Sequence, residues 1–303
     1  VGYRLHRRET LAKGLKRVVT EQYDKALEEL EDPEGDRDEA IHDARKCFKK
    51  TRAVLRMARD PLGPSVYRQE NARVRDMSRA LSSARDSAVA IGTLEDLRGR
   101  FGADLPEGGF LGIRQGLVAR YEAASAEAAG GEDPTAAVAA QVRDARSAVP
   151  GWPLKGDGFD LIRSGFKRVY KRGRRALEPL GPDAADEAVH EWRKRVKYLW
   201  YHVRLLQASW PRVLDVLADA LDDLSTWLGL DHDLAMLRAL LHEDVALAPG
   251  PGERQEILAL VARRQAELRE QSLPLGRRVY AERPGAFADR LGAYWTTWRE
   301  ERG

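Results

Sequence analysis

The sequence predicts an all-α protein made of two related helical bundles, and three observations carry that expectation. Apolar residues recur along the chain at the three-and-four spacing of a helix face. Of 303 residues, 33% are charged and 43% hydrophobic, with abundant Ala, Leu, Arg and Glu, a composition that favours helices with packed interiors. Residues 38–58 return at 186–206 without a gap, an offset of 148 that matches the units of about 150 residues expected for a chain of this length. The units are read as 1–150 and 151–303, two four-helix bundles related by a pseudo-twofold axis around a basic central groove or pore.

In the first unit, Leu11, Leu15, Val18, Val19, Ala26 and Leu27 mark a helix over 9–30, with Lys13, Lys16 and Arg17 on its other side. Glu31-Asp32-Pro33-Glu34-Gly35 ends it, and Asp36 followed by Glu39 resembles a capping box that opens the next helix, 38–58. Asp60-Pro61-Leu62-Gly63-Pro64 is read as its stop. A single long helix is expected over 66–98, carrying Arg75, Arg79 and the dipeptide Arg85-Asp86, followed by a Gly- and Pro-rich loop at 99–109. Helices over 110–129 and 134–147 complete the unit before Pro150-Gly151-Trp152-Pro153.

The second unit replays this order. Gly165-Phe-Lys-Arg-Val matches Gly14-Leu-Lys-Arg-Val, and Lys167, Arg168, Lys171 and Arg174 make this first helix the more basic of the two. The second copy of the basic helix spans 186–206, a third helix is expected over 212–241, and two more over 253–272 and 285–300.

The repeated helix carries the candidate site. Around the axis of the first copy, Arg45, Lys46, Lys49, Arg52 and Arg56 fall with His42 in an arc of about 120°, while Ala44, Cys47, Phe48, Thr51, Val54, Leu55 and Ala58 lie opposite. A solvated face ordinarily mixes signs, because like charges four residues apart repel; this one has no acid after Asp43. The second copy keeps His190, Arg193, Lys194, Lys197 and Arg204 in register, with Trp200 in place of Arg52. Fourteen helical residues present such a row over about 20 Å. Arg offers forks to phosphate oxygens and Lys offers mobile charges, so two such rows suit a flexible polyanion. The net charge of +3 says less than this distribution, because acids cluster elsewhere, as at Glu28, Glu29, Glu31, Asp32 and Glu34.

Ile-His-Asp-Ala-Arg-Lys-x-x-Lys-Lys and Val-His-Glu-Trp-Arg-Lys-Arg-Val-Lys-Tyr, each opening a helix and followed downstream by Arg85-Asp86 or His232-Asp233, resemble the CHAD family, the conserved histidine α-helical domain. The resemblance runs from about Tyr3 to Arg299 and makes the two units one CHAD module. It implies non-catalytic binding of inorganic polyphosphate, with His42, Arg45, Lys46, Lys49, Arg52, Arg56, His190, Arg193, Lys194, Lys197 and Arg204 as the core of the binding set. Lys16, Arg17, Arg79, Arg85, Lys167, Arg168, Lys171 and Arg174 extend it on the neighbouring helices. His42 and His190 have two readings, ligand contact or a structural hydrogen bond, while Trp192 and Trp200 are expected to pack and Asp86 and Asp233 to pair with basic side chains.

Other functions fit the residues less well. A phosphohydrolase or other enzyme acting on polyphosphate or a nucleotide wants clustered carboxylates for Mg²⁺, which the cationic arcs lack, and no Gly-x-x-x-x-Gly-Lys loop occurs. A nucleic-acid binder would interleave exposed aromatics with its cations, whereas these lie on apolar arcs. Asp38 with His42, and Asp186 with His190, have chelating spacing, but the neighbouring cations repel a divalent ion. No cofactor, metal or membrane partner is therefore expected, as no run of 18 apolar residues and no secretory signal core occur. The lone Cys47 cannot form an intrachain disulfide, which agrees with a cytoplasmic setting, including polyphosphate granules. The oligomeric state stays open, with a polymer-bridged dimer as one expectation.

Overall fold

The computed structural model of the chain describes residues 2–32, 34–81, 85–102, 110–130, 134–244, 247 and 251–301, with the backbone alone at 85–87, 124–125, 127–130 and 251. Among these residues the regular structure is eleven α-helices and two short 3-10 turns, which makes the protein all-α. Thr10 caps α1 (Leu11–Glu31), its side chain accepting from the Lys13 amide. Asp36 does the same for α2 (Arg37–Met57), accepting from the Glu39 amide at 2.9 Å, so the short polar residue before each apolar run starts the helix. Ala44, Cys47, Phe48, Thr51, Val54 and Leu55 of α2 are buried, as the apolar arc requires.

Two predicted boundaries differ. α3 (Arg59–Ala80) follows α2 after Ala58 alone, and the expected stop is a kink at Gly63, whose φ of 75° only glycine adopts without strain and which suits the residue before Pro64. The single helix expected over 66–98 is two, α3 and α4 (Arg85–Phe101), because they serve different cores. Arg45 closes the end of α3, donating to Ser78 O at 2.9 Å and Leu81 O at 3.1 Å and so satisfying carbonyls the helix leaves open.

α5 (Leu111–Gly130), α6 (Pro134–Ala148), α7 (Asp160–Leu177) and α8 (Asp186–Leu206) follow. α9 (Pro211–Glu243), α10 (Pro251–Val279) and α11 (Pro284–Glu300) complete the chain, with α10 continuing past its expected end through Pro274.

The larger core draws on both sequence halves, from Leu15 and Phe48 to Trp192, Leu221 and Trp295. A smaller one joins α4 and α5 to the later parts of α9 and α10 through Leu94, Phe101, Ile113, Leu237, Leu241 and Val261. The 33 residues of α9, about 50 Å long, pass through both.

The halves are locked together at short range. Gly165 of α7 lies so close to the end of α2 that an added Cβ would stand 2.7 Å from Met57 Cα, and His202, fully buried, places Nε2 2.8 Å from Ala53 O. Within the second half, a buried ion network ties three helices: Arg269 of α10 donates to Asp231 of α9 at 3.0 Å and to Asp186 of α8 at 2.8 Å, while Arg238 also holds Asp186. Among the described residues, no helix is long and apolar enough to cross a membrane.

Candidate anion-binding site

The two basic helices meet. His202 touches Ala53, and Arg56 lies 4.3 Å from the centre of the Tyr198 ring, so α2 and α8 run antiparallel where they cross. Each arc does not face one shared groove; it is split by the crossing. Arg45, Arg52 and Arg56 turn toward α3, and Arg193, Lys197 and Arg204 turn toward α9 and the Trp200 ring.

On the α3 side a cleft of about 500 Å³ opens. α2 lines it with Arg45, Arg52 and Arg56, and α3 with Arg75, Ser78 and Arg79. α7 adds Arg172, and α8 adds Glu191, Lys194, Arg195 and Tyr198, so among the described residues eight cationic side chains and one carboxylate line the cleft. That carboxylate is engaged: Glu191 binds Lys194 and accepts from Arg195 at 3.1 Å, and its hydrogen bond with Lys194 lowers its pKa. Asp43 and Lys46, at 2.7 Å, repeat the Glu191–Lys194 pair in the first half. Burial lowers the pKa of Arg52, and Arg56 and Arg75 add repulsion. Tyr198 is the one ring on this wall, and Arg56 already covers it.

A second cluster lies around α8 on the α9 side. Lys197 donates to Ser225 at 2.9 Å and sits 4.2 Å from the Trp200 ring centre, with Arg204 at 4.8 Å from the same ring. Burial, then the charge of Arg193, pushes Lys197 down to about 8. Lys46 and Lys50 of α2 face this cluster, as their repulsion of Lys197 and with Arg204 shows. His190 packs at a tilt against His232, with ring centres 4.1 Å apart, and burial, the neighbouring imidazole and Lys194 and Arg193 push it down to about 4, so it is neutral at pH 7. His42 and Lys49, half-buried on α2, both engage other groups in the fold.

Of the outer candidates, Arg79 lines the cleft, and Arg168 stands at its α7 end, donating to Asp60 at 2.6 Å. Arg17 is occupied elsewhere by Glu9 and Glu21, at 2.6 and 2.9 Å, and Lys16 by Pro150 O at 2.8 Å. Arg174 donates to Glu282 O at 2.9 Å, while Lys167 and Lys171 lie on the exposed side of α7. The side chains of Arg85 and Asp86 lie outside the described residues. Asp233 engages other groups in the fold, and the deeply buried acid of that helix is Asp231. Asp186, which spacing offered as a chelating partner of His190, is held by Arg238 and Arg269. No cluster of three metal-ligating side chains occurs among the described residues.

The sequence reading left out Arg172, Arg195 and Tyr198. Arg195 lies about 140° from His190 around α8, outside the arc, and reaches the cleft because α2 crosses at that angle. The dense run Lys171-Arg172-Gly-Arg174-Arg175 was the available signal for Arg172, but only tertiary packing separates its members.

Comparison with known proteins agrees with this architecture. The chain is similar in fold to the CHAD domain from the plant Ricinus communis, at 18% identity and a TM-score of 0.64, over 92% of this chain and 94% of that one. It is also similar to PptA from Streptomyces chartreusis, at 17% identity and a TM-score of 0.61, over 90% of this chain and all of the other. No curated protein sequence matches it. The sequence profile of the CHAD domain matches residues 17–242, and with that span taking in both basic helices, the chain belongs to the CHAD domain family.

Proposed function

We propose that this protein binds inorganic polyphosphate without catalysing a reaction on it, in the cleft between α2, α3 and α8. One observation carries the reading: among the described residues eight cations line the cleft against one carboxylate, and the one aromatic ring among them is already covered by Arg56. Such a wall neutralises a chain of phosphates and offers bases nothing to stack on, which favours polyphosphate over single-stranded nucleic acid. The family's link with polyphosphate supports the choice. Glu191, the carboxylate that lines the cleft among the described residues, is tied to Lys194 and Arg195 and so is not free for Mg²⁺ or for general-base work, which supports binding alone. A long polymer would hold the protein on polyphosphate granules and bridge two copies.

The test is a salt titration of binding to polyphosphate and to single-stranded RNA of matched charge, for the parent and an Arg52→Gln, Arg75→Gln, Lys194→Gln variant checked for folding by circular dichroism. If six cleft cations contact phosphates, log K should fall with log salt at a slope of about −4, by analogy with single strands. The variant should lose at least about 100-fold in affinity, corresponding to about 2.7 kcal/mol. Equal affinity for RNA, or an unaffected variant, would refute the reading.

A further inference from the structure

A groove of about 290 Å³ opens beside the smaller core, where α4 meets α9 and α10. None of the residues that line it lines the cleft. Its volume lies at the small end of the range of ligand sites, which suits a small molecule.

The apolar part of the lining is fixed by the packing behind it. Leu97 of α4 and Leu234 of α9 belong to the smaller core itself, and Leu230, half-buried, packs against that core. Thr93 stands beside them with its hydroxyl already donated to Val89 O at 2.8 Å.

The charged part is split. Asp96 and Arg100 stand one turn apart on α4, a spacing at which an acid and an arginine ordinarily pair. Arg100 reaches across to α10 instead, and its Nε donates to Glu267 Oε2 at 2.8 Å. Arg264, which also lines the groove, donates to the same oxygen at 2.9 Å. Two guanidinium groups thus converge on one carboxylate oxygen, and each has further N–H donors to offer. No hydrogen bond or ion pair to Asp96 occurs among the described residues. Asp96 and Arg100 are exposed while Leu97 and Leu234 are buried, so opposite charges are held apart at the rim of an apolar floor.

We propose that this groove binds a small amphipathic zwitterion, of the class of an α-amino acid with an apolar side chain. The carboxylate of such a ligand takes donors from Arg100 and Arg264, its ammonium pairs with Asp96, and its side chain covers Leu97, Leu230 and Leu234. An apolar acid without the ammonium leaves Asp96 facing a like charge, and an apolar amine leaves the two arginines with nothing to bind. Asp96 also repels the second charge of a phosphate, which favours a carboxylate.

Calorimetry of the full chain with L-phenylalanine, 3-phenylpropionate and phenethylamine compares the zwitterion with each half of it. L-Phenylalanine should bind at one per chain and at least about tenfold more tightly than either of the others, since each lacks one charge-assisted contact. Asp96→Asn should lower L-phenylalanine affinity about tenfold and leave 3-phenylpropionate within about twofold, whereas Arg264→Gln should lower both acids alike. Leu230→Trp, shown to be folded by circular dichroism, should fill the groove and remove binding. No saturable binding of L-phenylalanine at millimolar concentration, equal affinity for either half of the molecule, or a folded Leu230→Trp protein that binds like the parent would overturn the proposal.

Discussion

Replacing Gly165 with alanine should destabilise the protein, although alanine is the better helix former. The substitution adds one methyl group at the point where α7 meets the end of α2. That Cβ would stand 2.7 Å from Met57 Cα, against the 3.5–4.0 Å of a relaxed carbon contact, so the helices must separate by about 1 Å. The obstructing atoms are backbone and cannot rotate away. Overpacking of this sort costs about 3 kcal/mol at the upper end of its usual range, and the helix-propensity gain returns about 1 kcal/mol. The net loss is about 2 kcal/mol, and with an unfolding entropy of about 2.1 cal/mol/K per residue over 303 residues Tm should fall by about 3 °C. Gly92, inside α4, supplies the opposite case, because nothing lies within 4 Å of its added Cβ. Gly92→Ala should therefore raise stability by about 0.5–1 kcal/mol through propensity alone. Thermal unfolding followed by circular dichroism, with both variants measured beside the parent, reads the two signs. A Gly165→Ala protein as stable as the parent would refute the claim that α7 is fixed by backbone contact with α2.

The other expectations concern the buried ion network and the α9-side cluster. Arg269→Met leaves the 2%-exposed side chain of Asp231 without its principal cation, and should cost about 3–5 kcal/mol by chemical denaturation. Adding Asp231→Leu to that variant should recover much of the loss, and no recovery would mean that Arg269 acts mainly through Asp186 and the carbonyls it also binds. Lys197, pushed down to about 8 by burial and Arg193, should lose its charge across pH 7–9, but it is turned toward α9 and away from the cleft, so polyphosphate affinity should stay level over that window. Stability without polymer should rise as that charge is lost. The folded state releases this proton at a lower pH than the unfolded chain, so the unfolded state binds more protons above about 8 and stability rises from there toward the ordinary lysine value. Affinity that falls across the window in the parent and stays level in Lys197→Arg would place Lys197 in the binding path and refute the cleft as the whole site.

The helices and their buried faces could be read from periodicity, because burial of one face imposes the 3.6-residue repeat on the sequence itself. Phe48, Val54 and Leu55 of α2 are buried as their spacing requires, and so are Trp192, Val196 and Leu199 of α8. The failure at 66–98 has a physical cause. Apolar residues keep helical spacing through Met77, Leu81 and Leu94, but the first two belong to the larger core and the last to the smaller, and periodicity does not report which core a residue enters.

By itself, the sequence determined the all-α class, the two cationic helices, their duplication and the family, since each is written in local spacing or in residue identity along one helix. Tertiary structure decided which cations share a space. Arg45, Arg52 and Arg56 came to face Lys194 and Arg195 across a cleft, Arg193, Lys197 and Arg204 were turned toward α9, and Arg17 was taken up by Glu9 and Glu21. A helix fixes only the angle of a side chain around its own axis. The crossing of α2 with α8, and the packing of α7 against the end of α2, fix what that side chain meets.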